Sequence, residues 1–186
     1  MTGNEGEQIM GGWLIDKGAR LLIDVRSHPF YIKWHIDFIL ATSKVFMLEC
    51  KTDENIARTN NFCFETARIY LNSQHDYHAW GLYSKADSML VYSPQKHEVF
   101  KINSLPKLRN WITPQQVRFA SPVASRLSHK DQTDKNWEKV TYNWLINIDK
   151  IIDAKLGRWY KMTKTIAEYS ELFQNSNIVT VYEILG

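Results

Sequence analysis

The chain has 186 residues, 44% hydrophobic, 13% aromatic and 23% charged, which supports a sizeable core and excludes wholesale disorder. The net charge is only +3 and no basic tail stands out, so any nucleic-acid surface must come from the fold gathering charges on one face. No apolar run approaches the ~20 residues of a membrane span, and the N-terminal MTGNEGEQIM is acidic where a signal peptide would be basic, so a cytoplasmic location is expected.

In chain order, residues 5–17 read as a helix, with Ile9, Met10, Trp13 and Leu14 at helical spacing and Gly18 as its C-terminal cap. RLLIDVR (20–26) reads as a strand, followed by a loop through Ser27, His28 and Pro29. WHIDFIL (34–40) and VFMLECK (45–51) read as a hairpin joined by a short turn. Residues 51–61 are polar and read as a loop; FCFET (62–66) is a short strand or the start of a helix. Residues 79–85 read as irregular, 88–92 and 97–102 as strands, and Ser104 as the cap of a short helix carrying Leu105, Leu108 and Trp111. Residues 113–134 read as a linker. Trp137, Val140, Trp144, Ile148, Ile151 and Ile152 then fall on one helical stripe, a second helix is expected over 158–173, and 178–185 reads as a strand. Cys50 and Cys63 form no CxxC and lack a His at metal spacing, so neither a disulfide framework nor a structural zinc site is expected.

The informative residues are Asp37, Glu49 and Lys51. Glu49 and Lys51 are two apart on a strand and share a face. The residues around them form a nearly continuous apolar run, typical of a strand buried on both sides, where a carboxylate and an ammonium are costly unless partnered. Asp37 lies in the preceding strand, within cross-strand reach of Glu49. Two carboxylates at that separation repel, and a divalent cation between them removes the repulsion; oxygen ligands suit Mg²⁺ or Mn²⁺. Lys51 beside them would orient or help deprotonate a water, or stabilise charge on a phosphate. An E-x-K pair at a strand end is also a common solvated salt bridge. What favours chemistry is the order: a strand with Asp, a short turn, an apolar strand, then E-x-K.

This arrangement, Asp37-FILATSKVFML-Glu49-Cys50-Lys51, resembles the PD-(D/E)XK nuclease superfamily, the restriction-endonuclease-like fold. The likeness extends through Asp53, the Thr59-Asn60-Asn61 loop, the Phe64-Glu65-Thr66 strand end, the WGLYSKAD segment and the LPKLR helix, and is similar to small phage-type members. Ile36 stands where the family has Pro, and Asn60 stands where it has a loop Gly; Asn tolerates a left-handed backbone. The resemblance covers roughly residues 5–112.

The resemblance implies a mixed α/β fold with a central mixed sheet flanked by helices. The resemblance covers the nuclease-like core, 1–112; composition and helical periodicity, not the resemblance, add a linker or loop over 113–135 and a helical C-terminal extension over 136–186. The resemblance implies an Mg²⁺- or Mn²⁺-dependent DNA endonuclease leaving 5′-phosphate ends, located in the host cytoplasm if phage-encoded. Branched or double-stranded DNA is the expected partner before RNA, with a homodimer as a further expectation. Asp37 and Glu49 would hold the metal with the Cys50 carbonyl, and Lys51 would position the water. Glu65 would be a further ligand, weighed evenly against an ion-pair role. The family's first-helix carboxylate would be Glu7 or Glu5. Thr59, Asn60, Asn61 and Lys85 are candidate nucleic-acid contacts. Lys155, Arg158, Lys161 and Lys164, with Trp159 and Tyr160 between them, would make a phosphate-contacting helical ridge or a solvated helix face. The competing expectations are a non-catalytic nucleic-acid-binding module with this fold, and a structural protein in which Asp37, Glu49 and Lys51 form only an ion-pair network.

Overall fold

The computed structural model describes residues 3–70, 79–112, 123–130 and 136–180. Its elements are α1 (Gly3–Asp16), β1 (Leu21–Asp24), α2 (Pro29–Lys33), β2 (Phe38–Ala41), β3 (Val45–Thr52), α3 (Ile56–Thr59), β4 (Asn61–Tyr70), α4 (Trp80–Tyr83), β5 (Ser88–Ser93), β6 (Glu98–Ile102), α5 (Leu105–Ile112), β7 (Val123–Lys130), β8 (Asn136–Asn147), α6 (Ile148–Asp153), β9 (Gly157–Lys161), α7 (Ile166–Asn175) and β10 (Val179–Thr180). A seven-stranded sheet runs in the order β10-β1-β2-β3-β5-β6-β9, and a three-stranded sheet in the order β4-β8-β7. In the larger sheet β1, β2 and β3 form an antiparallel meander, while β3 pairs parallel with β5. The fold is mixed α/β, with a central mixed sheet flanked by helices.

Strand alternation assigns the two faces of the central sheet. Leu48, Cys50, Leu90 and Tyr92 pack with Ile9, Met10 and Trp13 of α1 and Tyr169 of α7. Met89, Val91, Phe100 and Ile102 face the other way, onto Phe62, Phe64 and Ile146 of the second sheet and Leu105 and Leu108 of α5. Both faces of β5 are buried, which explains its unbroken apolar run. The contact of α1 with α7 requires Gly12, because a Cβ there would lie 1.9 Å from the Tyr169 carbonyl oxygen.

The N-terminal helix, the cap at Gly18 (φ 89°), the hairpin and the strands at 88–93 and 98–102 follow the sequence expectations. Ser104 caps α5 by accepting from the Lys107 N–H at 3.4 Å. Other segments differ. Residues 34–37 are not strand: α2 precedes them, and His35 takes a left-handed conformation (φ 52°) that turns the chain into β2. Short helices α3 and α4 occupy segments read as loop and irregular.

The largest correction lies beyond residue 122. Residues 123–130, read as linker, form β7; the remainder of that segment lies outside the described residues. The stripe from Trp137 to Ile152 is a strand, β8, as far as Asn147, and only then the helix α6. Its run of Trp, Val, Thr, Tyr, Trp, Leu and Ile is rich in β-branched and aromatic residues, and β4 offers a long edge with which to pair. The expected helix over 158–173 is β9 followed by α7, so the reading of 136–186 as a helical extension is corrected. Through β8, β9 and β10 this segment is woven into both sheets. A capping box between Thr165 and Glu168 sets where α7 begins. Residues 181–186 of the last expected strand lie outside the described residues.

Candidate active site

The hairpin register builds the site. Phe38 pairs with Leu48, so one step further Asp37 stands beside Glu49 at the mouth of β2. The Asp37 backbone N–H donates to the Leu48 carbonyl at 2.8 Å, and its carboxylate accepts from the Cys50 N–H at 2.6 Å. Those two bonds fix the aspartate without using a second side chain.

Glu49 and Lys51 alternate with Leu48 and Cys50 and sit on the rungs of Met89 and Val91, so they face the second sheet. Glu49 is 1% exposed and its carboxyl lies against the Lys51 ammonium. Its Oε2 is buried and has no hydrogen-bond partner among the described residues. Burial pushes the Glu49 carboxyl up to about 8, against the pull of Lys51 and with a further push from Asp37. Burial also raises Asp37, opposed by Lys51 and by the Cys50 N–H. For Lys51 burial works against the charge, but Glu49 and Asp37 outweigh it and hold the ammonium above its ordinary value. Lys51 is therefore held as a protonated donor in the metal-free protein.

Glu7 joins this electrostatic group from α1. Burial and the Asp37 charge raise its carboxyl, while Arg26 and Lys51 lower it. Its Oε2 accepts from Arg26 Nη1 at 3.3 Å. Glu5 is exposed, so of the two first-helix candidates Glu7 is the one that shares a field with Asp37 and Lys51.

A cleft of about 580 Å³ opens beside Lys51, walled by the central sheet on one side and by β4 and β8 on the other. Lys51, Thr59, Asn61 and Glu65 line it together, so the structure gathers four expected site residues on one cavity. Glu65 is 6% exposed and belongs to the second sheet, facing Lys51 across the cleft rather than continuing the central strands. Asn60 adopts the expected left-handed conformation (φ 52°), but its amide donates to Asp149 and its carbonyl accepts from Ile148, so it joins the α3 turn to α6. Asp53 Oδ1 accepts the Asn55 and Ile56 N–H groups and stabilises the turn into α3. Asp87 Oδ2 accepts the Met47 N–H and locks β3 to the start of β5.

Other expected residues stand apart. Lys85 is exposed and does not line the cleft; its backbone N–H donates to the Trp34 carbonyl. Arg158 and Lys161 lie on β9, with β5 and β6 between that strand and β3, and Arg158 stacks on Tyr160 at 4.5 Å. No helical ridge of cations exists there, because the segment is a strand and Lys155 is in a left-handed turn. The Cys50 thiol points into the apolar face beneath α1, and its burial raises it strongly, so only the Cys50 backbone is suited to ligation.

Sequence reasoning missed Asp24 and Arg26. Arg26 binds Asp24 through two bonds, Nε to Oδ1 at 3.0 Å and Nη2 to Oδ2 at 2.8 Å, and also reaches Asn4 and Glu7. Its guanidinium packs 5.2 Å from the ring centres of both Phe38 and Phe173. The available signal was a D-x-R pair closing an otherwise apolar strand, the same kind of pattern that marked Glu49 and Lys51.

The donor set fits a hard divalent cation. Mg²⁺ is commonly held by one or two carboxylates and keeps several waters. Here Asp37 and Glu49 would supply the carboxylates, and Glu49 Oε2 is buried without a hydrogen-bond partner among the described residues. Among the described residues no three His, Cys, Asp or Glu side chains converge on one point, and no helix is long and apolar enough to cross a membrane. No protein-family model, curated protein or solved structure matches the chain.

Proposed function

We propose that the chain is a metal-dependent nuclease that hydrolyses DNA phosphodiester bonds. The observation that carries this reading is a buried Glu49 with one unpartnered oxygen, set beside a backbone-anchored Asp37 and a charged Lys51 at the edge of an open cleft. An arrangement meant only to stabilise the fold would satisfy that oxygen, because a buried carboxylate without its hydrogen bonds costs free energy. Functional sites are where such costs are retained.

Asp37 and Glu49 would hold the cation, which when bound supplies Lewis acidity toward the scissile phosphate. Lys51, fixed by Glu49, donates hydrogen bonds to the attacking water and to the charge that develops on phosphate oxygen. Glu65 approaches from the opposite wall and orients the water or the substrate strand. Glu7 and Arg26 set the field behind the site and tie α1 to the end of β1. Cleavage of the P–O3′ bond would leave 5′-phosphate ends.

The test is incubation of the purified full chain with supercoiled plasmid, branched DNA and single strands in Mg²⁺, Mn²⁺ or EDTA. Cleavage that requires metal and disappears in Lys51→Ala supports the reading. Metal-independent cleavage, or cleavage unchanged in Lys51→Ala, contradicts it. Binding without cleavage of any substrate points to a non-catalytic nucleic-acid module.

A further inference from the structure

We propose that the cleft beside Lys51 takes one nucleotide of an unpaired DNA strand, and that Thr141 and Asn143 of β8 are the residues that contact it. The proposal rests on the nuclease reading above and adds the substrate class: DNA whose scissile strand is single at the cut.

Access decides the first half. Glu49 is 1% exposed and Lys51 lines the cleft, so the space between the two sheets offers a phosphate a route to Lys51. A duplex carries its phosphates on the rim of a stiff cylinder far wider than a 580 Å³ cavity. A nucleotide released from its stack matches that volume, as it does in enzymes that work on flipped or single-stranded bases.

The composition of the far wall decides the second half. Thr141, Asn143 and Leu145 recur at every second position of β8 and line the cleft. Trp144 and Ile146, between and beyond them, face the core, where Trp144 stacks on Phe64. The polar face is thus turned toward Lys51 by the strand's own alternation. Asn143 is 7% exposed, and its amide donates one long bond, to Thr141 Oγ1 at 3.4 Å. An amide in the wall of a cleft, with both donors and an acceptor to offer, is suited to the edge of a base. Arg58 and Asn55 at the rim supply a cation and an amide for the neighbouring phosphate.

The experiment compares cleavage by the full chain in Mg²⁺ of one labelled sequence presented as a single strand, as a duplex and as an unpaired flap, with wild type, Asn143→Leu and Thr141→Val. Anisotropy binding of the same DNAs in Ca²⁺ runs in parallel, and thermal melting checks each variant's fold. The expected result is cutting of the unpaired forms about tenfold or more faster than the duplex. Asn143→Leu should raise KM for them about tenfold, the discrimination of one amide–base contact, with a smaller rise in Thr141→Val. Duplex cut as fast as the unpaired forms, or a KM indifferent to both substitutions in folded protein, overturns the proposal. If wild type cuts nothing, the nuclease reading fails by itself. The cleft assignment is then decided by whether unpaired DNA binds in Ca²⁺ and loses affinity in Asn143→Leu, with unchanged affinity overturning it.

Discussion

Glu49→Gln should stabilise the metal-free protein at alkaline pH and leave it unchanged near pH 5. In the folded chain the Glu49 carboxyl keeps its proton to about pH 8, because burial penalises the charge more than Lys51 rewards it, whereas its ordinary value is 4.5. The unfolded chain therefore releases the proton first. The stabilising contribution is complete below pH 4.5, declines as pH rises, and is lost by about pH 8. The interval corresponds to a ceiling of about 5 kcal/mol at about 1.4 kcal/mol per pH unit. Glutamine keeps the shape and carries no such loss, although it leaves Lys51 with Asp37 and Glu7 as its anions. A net advantage of about 2–4 kcal/mol at pH 8.5 is the expectation, within the range seen when buried charges are neutralised. The assay is urea unfolding in EDTA at half-unit steps of pH, with the midpoint difference between variant and wild type as the readout. A difference that stays constant from pH 5 to 8.5 would refute the burial argument.

The same proton competes with metal, so cleavage at limiting Mg²⁺ should rise steeply, up to about tenfold per pH unit, as pH increases toward 8 and then level off; a rate flat over that window in a Mg²⁺ titration would count against Glu49 as a ligand. Lys51→Ala should lower the single-turnover rate by about 10²–10³, the cost of removing one oriented donor from developing charge. Arg26→Met should cost about 3 kcal/mol in thermal or chemical denaturation, because it leaves the largely buried Asp24 and the partly buried Glu7 without their cation. Asn60→Val should cost about 1–2 kcal/mol and Asn60→Gly much less, since the left-handed backbone at φ 52° is the demand there.

Much of the site was readable because its signals are local. The D-x₁₁-E-x-K spacing sets Asp37 and Glu49 one rung past a paired rung, and alternation puts Glu49 and Lys51 on one face. Asn60 in place of Gly announced its left-handed turn. The parts that were not readable depend on long-range pairing. The stripe from Trp137 to Ile152 fits helical spacing as well as strand alternation, and only the β4 edge decides between them. With that strand misread, Thr141 and Asn143 had no visible relation to Lys51, and Arg158 and Lys161 were placed on a helix that does not exist. Asp24 and Arg26 went unnoticed because Arg26 acts through α1 and Phe173, partners distant in sequence.

The most direct test of the central claim is Mn²⁺ binding to the full chain, followed by electron paramagnetic resonance in wild type, Asp37→Asn, Glu49→Gln and Lys51→Ala. The account predicts saturable binding at one site, weakened at least about tenfold when either carboxylate is neutralised and retained when Lys51 is removed. Absence of saturable binding, or binding indifferent to Asp37 and Glu49, would mean that these residues form an ion-pair network and not a metal centre.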